Sequence, residues 1–132
     1  MKKILTILLA TFIISSCSDE NCNRPGLSCT EELRYVSVEI FDENGANIIL
    51  DSTTTTNASG FVLFSQQKTE IELFTSHAVV SDSEYDQIDF DGTELTFEGW
   101  KDGDLIVSEP FVVGKDCCHI EKLIGPETIT VQ

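Results

Sequence analysis

From Arg34 to the C-terminus, no stretch of about 10–12 residues carries the 3.6-residue apolar period of a helix, and turn signals recur every ~8–12 residues instead. Tyr35-Val36-Ser37-Val38-Glu39-Ile40-Phe41 puts Val36, Val38 and Ile40 on one face and Ser37 and Glu39 on the other. Asp42-Glu43-Asn44-Gly45 then predicts a turn, because Asn-Gly tolerates the positive φ that hairpin turns require. Ala46–Leu50 predicts a further strand, and the β-branched, polar run Ser52–Thr56 an exposed or edge strand. After a turn at Asn57-Ala58-Ser59-Gly60, Phe61–Phe64 predicts a buried strand. The idiom continues through Glu70–Thr75, with Ile71 and Leu73 on one face, and through His77–Ser81, Ile88–Phe90 and Leu95–Trp100. Lys101-Asp102-Gly103-Asp104 is a hairpin turn. Leu105–Val107 and Phe111–Val113 flank Pro110, which cannot donate to a ladder and so predicts an edge or a bulge. Cys118–Leu123 and Thr128–Val131 complete the pattern, with Gly125-Pro126 between them. The expectation is all-β: a single antiparallel β-sandwich of seven or eight strands, with a closed barrel as the alternative.

The first residues read differently. Met1-Lys2-Lys3 is a cationic stub, Ile4–Ile14 is apolar apart from Thr6 and Thr11, and two small residues precede a cysteine. Cation, short apolar run and small residues are the plan of an export signal; the run falls short of the ~20 residues that a spanning helix needs. Ile14-Ser15-Ser16-Cys17 resembles the lipobox of bacterial lipoproteins. The resemblance implies that residues 1–16 are removed and that Cys17 becomes the acylated, palmitate-bearing N-terminus. Stable anchoring needs more than one chain at ~0.8 kcal/mol per buried CH₂. Ser18-Asp19-Glu20 places an acidic pair behind that cysteine, which resembles the surface-export signal of Bacteroidota-type lipoproteins and implies an outer-membrane, surface-exposed address. The expected division is 1–16 signal peptide, 17–32 lipidated tether and 33–132 sandwich domain.

In an exported domain an even cysteine count reads as disulfides, and four cysteines remain besides Cys17: Cys22, Cys29, Cys117 and Cys118. A bond between the adjacent Cys117 and Cys118 would close a strained ring. Cys22 and Cys29 are therefore each expected to pair with one of them, in either combination, stapling the tether to a strand on which the two thiols point to opposite faces. Each staple would close a loop of roughly 90 residues, worth about 4–5 kcal/mol for one such bond on the chain-entropy model. Zinc held by Cys117, Cys118, His119 and Cys22 or Cys29 is the competing reading. Adjacent ligands do not match the usual C-x₂₋₄-C spacing.

The formal net charge is −15, with 23 acidic against eight basic residues, and loss of Lys2 and Lys3 with the signal would make it more negative. Nucleic acid demands clustered Lys and Arg and is excluded as a partner. The polypeptide should also be repelled by anionic lipid, which leaves the acyl chains on Cys17 as the membrane contact.

Little else suggests chemistry. Asp89-Phe90-Asp91-Gly92 with Glu98 has the spacing of the back half of a calcium loop, but Gln87 holds the first ligand position and Glu94 an apolar one. His77 and His119 read as packed or rim histidines, and no nucleophile elbow or phosphate loop is present. Trp100, Tyr35 and Tyr85 are the side chains that could line a sugar platform. No catalytic residue, cofactor or resident metal is expected.

Two further resemblances bear on fold and address. Val36–Gly45 with Thr55-Thr56-Asn57-Ala58-Ser59-Gly60-Phe61 resembles carboxypeptidase-regulatory-like and other transthyretin-like sandwiches. Phe97–Gly103, then Val112-Val113-Gly114-Lys115-Asp116-Cys117-Cys118-His119-Ile120, then Gly125 and Ile129-Thr130-Val131, resembles the C-terminal half of small Bacteroidota-type surface lipoproteins with a D-C-C-H signature. The latter implies a fold and an address and transfers no active-site residue. The functional expectation is a noncatalytic, outer-membrane-anchored domain that binds or supports a protein or glycan at the cell surface. The alternatives are a carbohydrate-binding accessory module of a polysaccharide-uptake system and a calcium-binding adhesion-type domain.

Overall fold

The computed structural model describes residues 22–68 and 75–132. Its strands are β1 (Tyr35–Phe41), β2 (Ser52–Asn57), β3 (Val62–Gln67), β4 (Ser76–Ser81), β5 (Thr93–Lys101), β6 (Asp104–Lys115), β7 (Ile120–Ile124) and β8 (Thr128–Thr130). A 3-10 turn, Asp82–Gln87, follows β4. The strands form a three-stranded sheet, β4-β1-β8, and a five-stranded sheet, β3-β2-β5-β6-β7. The fold is an all-β sandwich of eight strands among the described residues, in two separate sheets rather than a barrel.

The core is where alternation places it. Val36, Val38 and Ile40 of β1 and Val79 and Val80 of β4 meet Leu95, Phe97, Val107, Phe111 and Val113 of the larger sheet. Phe97 and Phe111 pack edge to face, with ring centroids 6.2 Å apart. The β5–β6 hairpin closes on Asp102-Gly103, with φ of 52° and 87°, a two-residue turn whose handedness matches strand twist.

Several expectations need correction. The ladder is not wholly antiparallel: β8 runs parallel to β1, with Ile40 opposite Ile129, because the chain crosses from β7 in the other sheet before pairing. Ser52–Thr56 is not an edge. β2 lies between β3 and β5, and Thr53 and Thr55 are buried. Burial of Thr55 is tolerated because its hydroxyl donates to the Val79 carbonyl of the opposite sheet at 2.5 Å, whereas the Thr53 hydroxyl is buried with no hydrogen-bond partner among the described residues. Phe61–Phe64 is not buried; β3 is the edge among the described residues, and Phe61 and Val62 are exposed. Ala46–Leu50 makes only the Phe41–Asn47 bridge, because this segment passes from β1 to the other sheet, where Asp51 N–H donates to the Trp100 carbonyl. Ile88–Phe90 forms no ladder either; Ile88 is buried as the segment leaves the 3-10 turn. That turn, absent from the sequence reading, is held by a capping box in which the Ser81 side chain accepts from Ser83 N–H while Glu84 accepts from Ser81 N–H. The expected strand at Glu70–Thr75 lies almost wholly outside the described residues.

Pro110 sits in β6 opposite Thr96, where β7 has not yet joined; β7 pairs with β6 only over Val112–Lys115. Its missing N–H therefore costs no ladder bond on the open side.

Gly125 is the position with least tolerance. Its φ is 141°, and an added Cβ would overlap the buried Phe111 ring. Gly125→Ala should lower stability by about 2 kcal/mol or more, since it combines backbone strain with overpacking. Urea unfolding of the soluble domain measures this, and an unchanged midpoint would contradict the packing described.

Candidate functional site

The connection between β6 and β7 is Asp116-Cys117-Cys118-His119, and Asp116 folds it. Its Oδ1 accepts from the N–H groups of Cys118 and His119 at 2.7 and 2.8 Å, and its own N–H donates to the His119 carbonyl at 2.9 Å. The two cysteines thus occupy a bend, not the strand that the sequence suggests. The bend still presents them to different partners: Cys22 bonds to Cys117 and Cys29 to Cys118, with Cα–Cα distances of 5.2 and 5.3 Å. With all four thiols in disulfides, the zinc set does not form.

His119 is buried beside this bend at 6% exposure. Its Nδ1 lies 2.7 Å from Asp82 Oδ2, and its Nε2 lies 3.0 Å from the Thr30 hydroxyl. The carboxylate can only accept, so Nδ1 carries a proton and donates to it, while Nε2 meets the Thr30 hydroxyl. Asp82 also accepts from Ile120 N–H through Oδ1 and from Arg34 N–H through Oδ2, both at 2.8 Å. Burial pushes the Asp82 carboxyl up, but the Ile120 N–H, the His119 ring and the Arg34 N–H outweigh it and hold its pKa below the ordinary value. The Cys118 and His119 N–H groups likewise lower Asp116. Tyr85, on the 3-10 turn, donates to the Asp116 carbonyl at 2.7 Å. Lys115 donates to the Tyr85 carbonyl at 3.0 Å and lies 4.3 Å from the Tyr85 ring centroid. Residues 22–34 are thereby fastened across one end of the sandwich, which forms a cap.

Thr30, His119 and Asp82 have the connectivity of a nucleophile, a base and its orienting acid. Here the hydroxyl is secondary and belongs to the stapled segment, and the ring it meets is sealed from solvent. A cavity of about 280 Å³ lies elsewhere, over Glu94, Thr96, Pro110 and Val112 on the larger sheet. The arrangement acts as a latch: it satisfies five polar groups at a chain crossing.

The remaining sequence-predicted residues do not converge. Tyr35 begins β1 at the cap and is 52% exposed, and Tyr85 belongs to the cap itself. Trp100 is near the opposite end of β5, seven residues from Thr93, or about 23 Å of strand. These aromatics form no common platform. Asp89 and Asp91 flank a turn, whereas Glu98 lies well inside β5 opposite Thr54. Among the described residues no group of three His, Cys, Asp or Glu side chains could hold a metal ion. His77 is fully buried on β4, and its Nε2 donates to the Ile48 carbonyl at 3.0 Å. Cys17 lies outside the described residues. Sequence reasoning missed Asp82, Thr30 and the turn-forming role of Asp116. The S-x-x-E spacing of Ser81 and Glu84 could have exposed the 3-10 turn and with it Asp82; Thr30 carries no local signal.

Two pH windows follow. Burial lowers the His77 pKa below 6.5, so the ring is neutral in the fold. As pH falls below 6.5 only the unfolded chain takes up that proton. Stability should then drop by up to about 1.4 kcal/mol per pH unit until the folded pKa is reached. His77→Leu should remove that slope in unfolding measured between pH 7 and 5. Asp82, with its pKa depressed below 3.8, contributes stability that is fully present above that value and is lost as pH falls through the folded pKa. Asp82→Asn should cost about 2–3 kcal/mol at pH 7 and progressively less in acid, because the wild-type carboxylate protonates too.

A scan of protein-family models and searches of curated proteins and solved structures found no match to this chain, so the reading of the cap rests on its own geometry.

Proposed function

We propose that this chain is a noncatalytic, lipid-anchored domain of the bacterial outer membrane, displayed at the cell surface and serving a binding or supporting role there. The observation that carries the reading is the pair of bonds Cys22–Cys117 and Cys29–Cys118, immediately behind the expected acylated Cys17. A segment with few apolar side chains cannot pass a pull to the fold through a core of its own, whereas two covalent bonds into the β6–β7 bend can. The lipobox Ile14-Ser15-Ser16-Cys17, the acidic pair Asp19-Glu20 and the D-C-C-H run at Asp116–His119 support the address and the likeness to Bacteroidota-type lipoproteins.

Expression of the full chain in a bacterial host that processes lipoproteins should yield a Cys17-bearing N-terminal peptide with acyl mass. Cys17→Ser should leave the chain uncut or soluble. A variant that is processed normally and remains wholly with the outer membrane would refute the anchor. The noncatalytic reading has its own test, because the Thr30–His119–Asp82 chain has, among the described residues, the connectivity that acyl transfer uses. A fluorophosphonate probe should leave Thr30 unmodified; stoichiometric labelling abolished by His119→Ala would make the domain a hydrolase.

A further inference from the structure

The cap has a second property besides its latch. Eight large apolar side chains are exposed among the described residues; Leu27 and Leu33, 46% and 48% accessible, lie on the stretch that crosses the cap, and Tyr35, 52% accessible, opens β1 directly after it, whereas the other five are scattered at or next to β3, β6 and β7. Both arginines of the chain, Arg24 and Arg34, are exposed on the same stretch. Leucine, tyrosine and arginine together are the chemistry of a membrane–water interface: an apolar body, an amphipathic ring and a cation for phosphate.

Chain length limits where this surface can be. Only Ser18, Asp19, Glu20 and Asn21 separate Cys17 from Cys22, so a fully extended link reaches about 17 Å. Cys22 is bonded into the cap at Cys117. The twelve residues of β6 run from that end to the Asp102-Gly103 hairpin, about 36 Å away. The link is thus less than half as long as the sandwich. Lys115, at the end of β6, binds the Tyr85 carbonyl of the cap, and Val113 pairs with Thr93 at the start of β5, so Trp100 is at the far end with the hairpin.

We propose that the cap rests on the phospholipid headgroups, with Leu27, Leu33 and Tyr35 in the interface and Arg24 and Arg34 near lipid phosphates, and that the β5–β6 hairpin end points away from the membrane. This rests on the anchored reading above. Glu31 and Glu32 are exposed on the same stretch, so the contact suits a zwitterionic surface rather than an anionic one. Among the described residues nothing covers these three side chains, and a membrane tethered within about 17 Å offers cover at high effective concentration.

Trp100 is the chain's single tryptophan, which makes the orientation measurable by fluorescence. The full lipidated protein is placed in phosphatidylcholine vesicles brominated near the headgroup end of the acyl chains. The native Trp100 emission should be unquenched. In a Trp100→Phe background, Leu33→Trp and, separately, Leu27→Trp should each lose about half of their emission, as an interfacial indole does. Both sites are exposed, so either variant should fold; the intact disulfide masses verify this. Quenching of native Trp100, or unquenched emission from both cap tryptophans while acyl mass is present on Cys17, would overturn the orientation and leave the anchor standing. The latter result would assign the surface to a protein partner. Absence of acyl mass on Cys17 would overturn the orientation and the anchor together.

Discussion

The Asp82 carboxylate joins pieces of chain that are remote in sequence. It follows β4 directly, accepts the Arg34 N–H that leads into β1, accepts the Ile120 N–H that opens β7, and orients His119, which holds Thr30. Two of its three partners come from outside its own sheet, Ile120 from the larger sheet and His119 from the β6–β7 bend, and His119 brings in Thr30 of the N-terminal segment. A buried carboxylate is costly unless charge-assisted bonds satisfy it. Asp82 is satisfied only when all of these segments have arrived. The interaction therefore acts as a check on assembly as much as a source of stability. Asp116 prepares the bend for it by folding Cys118 and His119 into place through their N–H groups.

The disulfides act on a different term. Asp82 and Asp116 stabilise the folded state by direct contact, whereas bonds at sequence separations of 95 and 89 residues chiefly restrict the unfolded chain. The two mechanisms converge on the same few residues, so the cap is fixed by both at once. The core does not need them to explain its own order: Val38, Ile40, Val79, Phe97 and Val113 are buried to within 1% and span both sheets. What needs them is the segment 22–34, which contributes almost no apolar side chain to that core.

The fold class was legible because alternation and turn chemistry are local. β1, β4, β5 and the Asp102-Gly103 hairpin all stand where period two and Gly placed them. The cysteine partners were legible to within one swap, since ring strain excluded the adjacent bond; the swap itself depends on the bend at Asp116, which alternation cannot see. Position within a sheet was not legible. The threonines of β2 look like an edge and lie between two strands, while Phe61 and Val62 look like core and lie at an edge. Side-chain polarity misleads there because a threonine hydroxyl can be satisfied across the sandwich, as Thr55 is by the Val79 carbonyl. The latch was illegible because Thr30, Asp82 and His119 are joined by nothing in the sequence except the fold.

That polar central strand connects packing to the asymmetry of the molecule. With Thr53 and Thr55 filling the interior of β2, the larger sheet has room for the close approach of Leu50 to Gly99, where a Cβ would displace the buried leucine. Leu50 lies on the segment that crosses between the sheets at the end remote from the cap. There the contacts are exposed: Asp42 accepts locally from Asn44 and Ala46, and Asp51 accepts across 51 residues from the Asp102 N–H of the hairpin. One end of the sandwich is thus constrained by covalent and part-buried charge-assisted links, and the other by hydrogen bonds in exposed turns. The end that carries segment 22–34 is the one where both kinds of link meet, at the Asp116–His119 bend.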